Sequence, residues 1–547
     1  MLTLLVAAPA ALAADPIMPL SDVRAGMHCT GLSVIKGTEI SSFDVEILDV
    51  IAAETGLSGP RILIRVSGPA IDSTGIGPGF SGSPVICDGR NAGAISEGLG
   101  EYGNEVALAT PIEGMVRDRP PSPAASARRD PALLRAAEPL ATPLTITGLS
   151  GRAATLVRQA ALRAHRPLIV APAGPVGGYR PAEMRPGAAV AASIATGDLA
   201  LGAVGTLTYR DGDDIWAFGH PFEGAGRRAL FLQDAYVYTV IQNPLGIQDF
   251  GAITYKLASA DGYLHGSVTN DQVDAISGKV GQGPPAIPLH VDAHNRAGER
   301  VTLDSLLADE RDLGYGAGIS FVAPLGVTQA MGRLMRDFGP VTFRMCAHFR
   351  VRELRRPMGF CNPYFSVDDA VNDLSQAGGM VDFFDLAPMH VQRVAVSIRA
   401  RSGVKQDVLV RARGPRRARK GSRIRVRLTV QRRRGGSHRI TVPVRVPRLL
   451  KPGRHRLTLR GGGGGLSEEE LIEELILLLE GELGGGGGSS EPRTVRQLAR
   501  RIHALRSRPG IYARFGRGPA RLVRASSAVS YEGRVRLRLR VTPRARR

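Results

Sequence analysis

The sequence predicts a mostly β protein, and its composition and the spacing of its turn residues support this. Hydrophobic residues make up 43% of the 547-residue chain, aromatic residues only 5%, and 67 glycines and 37 prolines are spread along it. This composition favours short strands joined by turns over long helices. Since domains average roughly 150 residues, the chain is too long for one core, and we expect three or four units.

The first predicted block covers residues 18–116. Strand-like runs at 42–50, 61–66 and 84–86 are separated by turn residues, a pattern typical of a barrel or sandwich. Residues 117–187 are interpreted as a linker rich in proline, alanine and serine, followed by a helix over 153–164. A second β-rich block covers residues 188–325. Neither block looks complete alone.

The C-terminal part is predicted as a mixed connecting region over 326–390, with an amphipathic stretch at 327–338, followed by a domain over 391–547. Alternating strands over about 391–460 suggest an immunoglobulin-like β-sandwich. Two glycine runs flank the acidic, leucine-rich segment 466–483. Its capping box predicts a single helix on flexible tethers, which is either a loop excursion or a partner-binding helix. A basic helix is predicted over 493–506.

The charge balance is strongly positive, because 71 Lys and Arg stand against 50 Asp and Glu, a net +21. The excess is mainly arginine beyond residue 395. Alternation in residues 423–428 and 534–539 places apolar side chains on a core face and arginines in water. We favour this solvated face over nucleic-acid binding, since no helix-turn-helix, RNP-like or zinc-finger pattern accompanies the charge. An anionic cell-surface polymer remains an alternative partner.

Residues 1–14 form a short apolar run that ends in a small-x-small pattern, which predicts a signal peptide and a secreted or cell-envelope protein. A basic n-region is missing, so an uncleaved anchor is the alternative, although the run is too short to span a bilayer. No later stretch predicts a transmembrane helix. The four cysteines lack zinc-site spacing, and in an oxidising compartment two disulfides are favoured over free thiols. Neither a metal nor an organic cofactor is implied.

The most informative motif is GFSGSP, residues 79–84, between two predicted strands. A nucleophilic serine needs a tight turn whose flanking glycines let the backbone aim two N–H groups into one hole. We therefore expect Ser81 as the nucleophile, with the N–H groups of Gly79 and Ser81 holding the oxyanion. A plain hairpin turn is the alternative for such a motif.

His220 is the histidine best placed to serve Ser81 as a base. It lies in the segment WAFGHPF, residues 216–222, at the end of an apolar strand and between glycine and proline. Its ring can therefore face a cleft. A serine hydroxyl becomes a strong nucleophile only when a base takes its proton, and histidine is the usual base near neutral pH.

These motifs resemble those of the SpoIVB peptidase family. GFSGSPVI, residues 79–86, is similar to the family's GMSGSPI segment, and AFGH, residues 217–220, to its ALGH segment. Residues 205–209, GTLTY, look like the strand that precedes the family's histidine. The matches cover roughly residues 18–116 and 188–290. The resemblance implies a chymotrypsin-like double β-barrel and serine endopeptidase activity, with the two blocks as its halves.

The chain departs from the family pattern in two ways. In the sporulation peptidases the histidine segment precedes the serine segment, so the order here indicates a circular permutation, which a triad tolerates because geometry defines it. The family's acid position is occupied by Gly68. Asp72 and Asp198 are candidate substitutes for the acid, and a Ser–His dyad is a further alternative.

The sequence thus predicts a secreted serine endopeptidase that acts on protein or peptide substrates through Ser81 and His220. The alternative is a catalytically degenerate, peptidase-like protein that binds at the cell surface. Because Cys29 and Cys87 lie beside family-like text in one barrel, we expect a Cys29–Cys87 disulfide, and a second one between Cys346 and Cys361.

Overall fold

The structure is a computed structural model that describes most of the chain. Its described residues are 15–51, 59–98, 105–117, 144–163, 168–172, 178–242, 254–313, 318–335, 341–403, 405–433, 435–462, 492–505, 509–516, 518, 520–526 and 528–543. They divide into two compact units. Unit 1 holds the described residues up to 289 together with 304–322, and unit 2 holds 290–303 and the described residues from 323 onward.

Unit 1 begins with a closed antiparallel barrel. Its strands are β1 (His28–Lys36), β2 (Glu39–Ile51), β3 (Arg61–Ser67), β4 (Pro84–Cys87), β5 (Arg90–Gly98) and β6 (Val106–Pro111). They pair in the order β1-β2-β3-β6-β5-β4, and β4 pairs again with β1. The three strands predicted in this block are confirmed as β2, β3 and β4.

The barrel forms because its strands alternate apolar and polar residues. Along β2, Phe43, Val45 and Ile47 point inward and are buried, while their neighbours are more exposed, as the two-residue period of a strand requires. The Cys29–Cys87 disulfide, with its Cα atoms 4.4 Å apart, joins β1 to the end of β4. The predicted pairing is therefore confirmed.

The rest of unit 1 is also β-rich. It contains α1 (Ile112–Met115), β7 (Leu144–Thr147), α2 (Gly151–Arg163), β8 (Leu168–Ala171), β9 (Ala189–Gly197), β10 (Ala200–Asp211), β11 (Asp214–Ala217), β12 (Gly226–Asp234), β13 (Tyr236–Gln242), β14 (Thr254–Ser259), β15 (Leu264–Asp271) and β16 (Ile276–Val280). The helix predicted over 153–164 is confirmed as α2.

Six of these strands pair in a second closed ring. β9 pairs with β10, β10 with β11, β11 with β16, β16 with β15, β15 with β12, and β12 with β9. Numbered from one to six along the chain, both rings have the order 1-2-3-6-5-4. Ser81 lies between the third and fourth strands of the first ring, and His220 occupies the equivalent connection of the second.

The β13–β14 hairpin is inserted between the fourth and fifth strands of the second ring and contacts the first barrel. Gly37 and Val237 exchange backbone hydrogen bonds of 2.7 and 2.9 Å. Farther along, the Lys256 N–H donates to the Pro78 carbonyl at 2.9 Å. The hairpin therefore brings β14 against the turn that carries Ser81.

The boundary between the units falls within β17 (Ala286–Asn295) and β18 (Arg300–Ala308), and again within α3 (Gly318–Met335). Unit 2 then has β19 (Val341–Val351), β20 (Met358–Tyr364), α4 (Val367–Asp382) and β21 (Val391–Ser402), with β19 paired to β20 and β21. The predicted Cys346–Cys361 disulfide is confirmed across β19 and β20. The amphipathic stretch expected at 327–338 belongs to α3, which begins earlier, at Gly318.

Two sheets complete unit 2 and share one apolar core. Their strands are β22 (Lys405–Arg413), β23 (Arg417–Arg419), β24 (Arg423–Arg432), β25 (Ser437–Arg445), β26 (Gly453–Gly462), β27 (Gly510–Phe515), β28 (Arg521–Ala525), β29 (Val529–Glu532) and β30 (Arg534–Thr542), and the helix α5 (Val495–His503) precedes β27. The sheet orders are β25-β24-β22-β29 and β23-β30-β26-β27-β28.

The arginines of this sandwich alternate with core residues, as predicted. On β24, Ile424, Val426 and Leu428 are buried while Arg425 and Arg427 are exposed, so the charge covers a solvated face. The predicted basic helix is confirmed as α5. The expected signal peptide, residues 1–14, and the expected tethered helix, 466–483, lie outside the described residues. None of the helices in the described ranges combines the length and the apolar composition needed to cross a bilayer.

Candidate functional site

The turn that carries Ser81 comprises residues 77–82, and each of its six backbone carbonyls accepts a hydrogen bond. The carbonyl oxygens and their donors are Gly77 with Phe80 N–H at 2.9 Å, Pro78 with Lys256 N–H at 2.9 Å, Gly79 with the Thr206 hydroxyl at 3.0 Å, Phe80 with Ser83 N–H at 2.9 Å, Ser81 with Thr206 N–H at 2.8 Å, and Gly82 with the Thr208 hydroxyl at 2.8 Å. The turn is thus fixed from inside the protein.

Three backbone N–H groups of the same turn, those of Gly77, Gly79 and Ser81, have no acceptor among the described residues. Within the described ranges, the N–H groups of Gly79 and Ser81 donate no hydrogen bond, whereas those of Phe80 and Gly82 donate to the carbonyls of Gly77 and Ile95. Paired N–H groups that stay unbonded in a rigid turn are what an oxyanion hole requires.

The glycines of the turn are required by its shape. Gly79 and Gly82 have φ angles of +96° and +92°, in the left-handed region that favours glycine. A Cβ on Gly82 would lie 1.9 Å from the Thr206 carbonyl oxygen, and one on Gly79 would lie 2.8 Å from the Lys256 Cβ. The motif interpreted as a nucleophile turn therefore has a steric reason for both glycines.

His220 follows β11 in a second tight turn. Phe218 and Gly219 both have left-handed φ angles, +71° and +69°, and such a φ is uncommon for phenylalanine. The His220 Nδ1 lies 2.7 Å from the Pro221 carbonyl oxygen. Because a carbonyl can only accept, Nδ1 carries the proton and Nε2 keeps its lone pair.

The charge state of His220 also suits a base. Burial lowers the pKa of His220 below its ordinary value of 6.5, and the Pro221 carbonyl and the carboxylates of Glu97 and Asp271 only partly oppose this. At neutral pH the ring is therefore uncharged and able to accept a proton at Nε2.

The structure brings the two turns together through β10. Thr206 donates its N–H to the Ser81 carbonyl at 2.8 Å and accepts from the Phe218 N–H at 3.3 Å. A Cβ on Gly82 would lie 2.5 Å from the Phe218 nitrogen. In the described part of the chain, however, neither the Ser81 hydroxyl nor His220 Nε2 makes a hydrogen bond, so the two turns meet without a direct bond between these side chains.

Neither candidate acid is bonded to His220. Asp72 accepts the Gly68 N–H at 2.6 Å, and Asp198 accepts the Asp304 N–H at 2.7 Å. Gly68, at the position of the family's acid, has a φ of +112°, a backbone shape that aspartate rarely adopts. Both carboxylates stabilise turns, the ordinary role of aspartate at such positions.

Asp271 is a carboxylate near His220 that sequence reasoning missed. It accepts the N–H groups of Phe222, Glu223 and Ala225 at 2.7, 2.8 and 3.1 Å, and so holds the turn that follows His220. Burial raises the pKa of Asp271, while the cation of Arg228 and these N–H groups oppose the rise. No local motif marks Asp271, since its N–H partners lie far away in the sequence, in the turn that follows His220.

Lys256 is the second residue that sequence reasoning missed. It lies on β14, is 3% exposed, and packs against the turn below Gly79. Its run in the sequence, TYKLAS, is an ordinary strand pattern with one charged residue. Only the tertiary contacts show that this lysine faces the interior.

Comparison with known proteins identifies no relative, because no family model, curated protein or solved structure matches the chain.

Proposed function

We propose that the chain is a serine endopeptidase of the SpoIVB type, with a permuted chymotrypsin-like peptidase unit in residues 18–325 and an immunoglobulin-like sandwich later in the sequence. The observation that carries the proposal is the turn at residues 77–82, whose carbonyls are all bonded while the N–H groups of Gly79 and Ser81 are free. A hairpin turn with a purely structural role needs no pair of free donors. The matching positions of Ser81 and His220 in two rings of equal strand order support the same conclusion.

The proposed reaction uses these groups in turn. The Ser81 oxygen attacks the carbonyl carbon of a peptide bond while His220 Nε2 takes the hydroxyl proton. The negative oxygen of the tetrahedral intermediate accepts hydrogen bonds from the Gly79 and Ser81 N–H groups. The C–N bond then breaks, His220 gives its proton to the leaving amine, and water hydrolyses the acyl ester by the same steps. The Pro221 carbonyl holds His220 in the tautomer that the first step requires.

A fluorophosphonate probe tests the proposal directly. Wild-type protein is expected to react at one residue, Ser81, as located by mass spectrometry of the labelled peptide, and Ser81→Ala is expected to remain unlabelled. Ser73→Ala is the matched control, since Ser73 is an exposed serine of the same connection. A wild-type protein that resists the probe contradicts the proposal.

The pH profile provides a second test. Because His220 must be neutral to act as a base and burial lowers its pKa, the rate of probe labelling is expected to rise with pH and to reach half its maximum below pH 6.5. Labelling rates measured from pH 4.5 to 8 give this midpoint. A midpoint clearly above 6.5 would show that a different group, or a charged His220, controls the reaction.

A catalytically degenerate peptidase-like protein that binds at the cell surface is the second candidate. It is favoured by one observation: no hydrogen bond links Ser81 to His220, and none links His220 to a carboxylate, among the described residues. Its basic sandwich would then serve an anionic polymer. Failure of the wild-type protein to react with the probe, with both side chains in place, would favour this candidate.

A further inference from the structure

The buried side chain of Lys256 makes a network beneath the Ser81 turn. Its ammonium donates to the Ser33 hydroxyl at 2.6 Å and to the Thr206 hydroxyl at 3.4 Å. It also lies 4.4 Å from the centre of the Phe80 ring, within the range of a cation–π contact. Ser33, Thr206 and Phe80 have no exposed surface, so all three groups that contact the ammonium lie inside the protein.

When Lys256 is charged, only one arrangement of hydroxyl protons satisfies this network. The Gly79 carbonyl can only accept, so the Thr206 hydroxyl, 3.0 Å away, must donate to it. The Ser33 hydroxyl, 3.2 Å from that of Thr206, must then donate to Thr206. Ser33 in turn accepts from Lys256 and from the Ser83 hydroxyl at 2.9 Å. The chain of donors therefore runs from the ammonium to the backbone of the turn.

Stability does not explain this lysine. No carboxylate pairs with Lys256 in the described part of the chain, and a buried ammonium without a counter-charge costs free energy. Burial lowers the pKa of Lys256 from 10.5 to about 7, which shows how strongly the site disfavours the charge. A methionine of similar length would fill the same space at a lower cost.

The backbone of Lys256 acts on the same turn. Its N–H donates to the Pro78 carbonyl, which belongs to the peptide whose N–H is that of Gly79. An amide whose carbonyl accepts a hydrogen bond becomes a stronger donor at its N–H. The same holds for the peptide between Phe80 and Ser81. Its Phe80 carbonyl accepts a hydrogen bond from the Ser83 N–H, which strengthens the Ser81 N–H as a donor. The free N–H groups of Gly79 and Ser81 are therefore both strengthened as donors by hydrogen bonds to the carbonyls of their own peptides.

We infer that Lys256 is a positioning residue for the oxyanion hole: it fixes the hydroxyls of Ser33 and Thr206, and through them the Gly79 carbonyl, so that the N–H groups of Gly79 and Ser81 stay free and rigid. The inference rests on the proposed peptidase function. It adds a buried lysine to a site whose recognised members are a serine and a histidine.

Lys256→Met tests the inference. The variant is expected to react with the fluorophosphonate about 10- to 100-fold more slowly than wild type, because removing a donor from an oxyanion hole costs about 10²–10³ and here the donors are loosened, not lost. With a peptide substrate the loss is expected in kcat and not in KM, since the oxyanion forms only in the transition state. Lys279→Met is the matched control. Lys279 is a hydrogen-bonded lysine of the second ring that contacts Asp214, and its variant is expected to stay within about twofold of wild type.

A merely structural role predicts a different result. In that case Lys256→Met would unfold more easily, as monitored by the fluorescence of Trp216, the single tryptophan of the chain, which lies in unit 1. We expect its unfolding midpoint to be unchanged or higher. Thr206 provides a second route: Thr206→Val is expected to slow labelling as Lys256→Met does, and Thr206→Ser, which keeps the hydroxyl, to restore it. Labelling of Lys256→Met at the wild-type rate would overturn the inference while leaving the peptidase proposal standing.

Hydrogen exchange separates the inference from the proposed function. The bonded N–H groups of Phe80, Gly82 and Ser83 are expected to exchange at least about tenfold faster in Lys256→Met than in wild type, with no such change in Lys279→Met. This measurement needs no catalysis, so it applies even if the wild-type protein fails to react with the probe. Equal exchange in the two lysine variants would refute the positioning role.

Discussion

Replacing Ser81 by alanine is expected to lower the turnover of a peptide substrate by about 10⁴- to 10⁶-fold, with little change in KM. In the proposed mechanism the Ser81 hydroxyl oxygen forms the acyl-enzyme. The residual rate of the variant then comes from the oxyanion hole and from substrate binding. His220→Ala is expected to lose a similar factor, because Ser81 without a base is a weak nucleophile. Steady-state kinetics with purified variants measure both losses.

The double variant is the informative control. Residues that act as one unit show strongly non-additive effects, so Ser81→Ala combined with His220→Ala is expected to be only slightly slower than either single variant. If the rate loss of the double variant equals the product of the two single losses, the two side chains act independently. Ser83→Ala is expected to cause a smaller loss, because the Ser83 hydroxyl supports Ser33 beneath the turn.

Replacing Arg228 by methionine is expected to destabilise unit 1 by about 3–5 kcal/mol, the usual cost of removing one partner from a buried ion pair. Arg228 is buried and binds both carboxylate oxygens of Glu310 at 2.9 Å. It also donates to Glu223 at 2.6 Å and lies 3.7 Å from Asp271. Without the guanidinium, the buried carboxylates of Glu310 and Asp271 lose their counter-charge. Urea unfolding followed by Trp216 fluorescence measures the effect on this unit alone.

An exposed ion pair provides the comparison. Arg65 and Glu46 are 3.0 Å apart but 50% and 40% exposed, so Arg65→Met is expected to cost less than about 1 kcal/mol. Equal losses in the two arginine variants would show that burial of the Arg228 pair is not the cause.

The loss of stability in Arg228→Met, relative to wild type, is also expected to depend on pH. Burial already raises the pKa of Asp271, and Arg228 opposes that rise. Without Arg228 the pKa rises further, so the folded variant keeps a proton that the unfolded chain releases. Stability then falls as pH increases, and the deficit should be larger at pH 7 than at pH 5. Because Asp271 holds the turn after His220, the variant should also react more slowly with the probe.

Strand positions could be predicted from the sequence because they depend on local chemistry, whereas the two disulfides were expected from an oxidising compartment and, for Cys29 and Cys87, from the family-like text beside them. Apolar alternation in Phe43, Val45 and Ile47 places one face of β2 inside, and glycines mark the turn around Ser81. The segment WAFGHPF, residues 216–222, similarly located His220 at the end of a strand. The carboxylate that holds the turn after His220 could not be found in this way. Asp72 and Asp198 had the right residue type, yet their bonds to nearby N–H groups follow from turn geometry, and Asp271 reaches the His220 turn from a distant strand.

The sequence by itself determined the mostly β class, the alternating arginine face of the sandwich, and the two motifs that carry Ser81 and His220. Only the tertiary structure decided that β9 closes a second ring, that β10 joins the two turns through Thr206, and that Lys256 packs against the turn that carries Ser81. The physical reason is the range of the interactions. Side-chain alternation and turn conformation depend on neighbours within a few residues, whereas ring closure and the burial of a lysine depend on strand register set by the whole core.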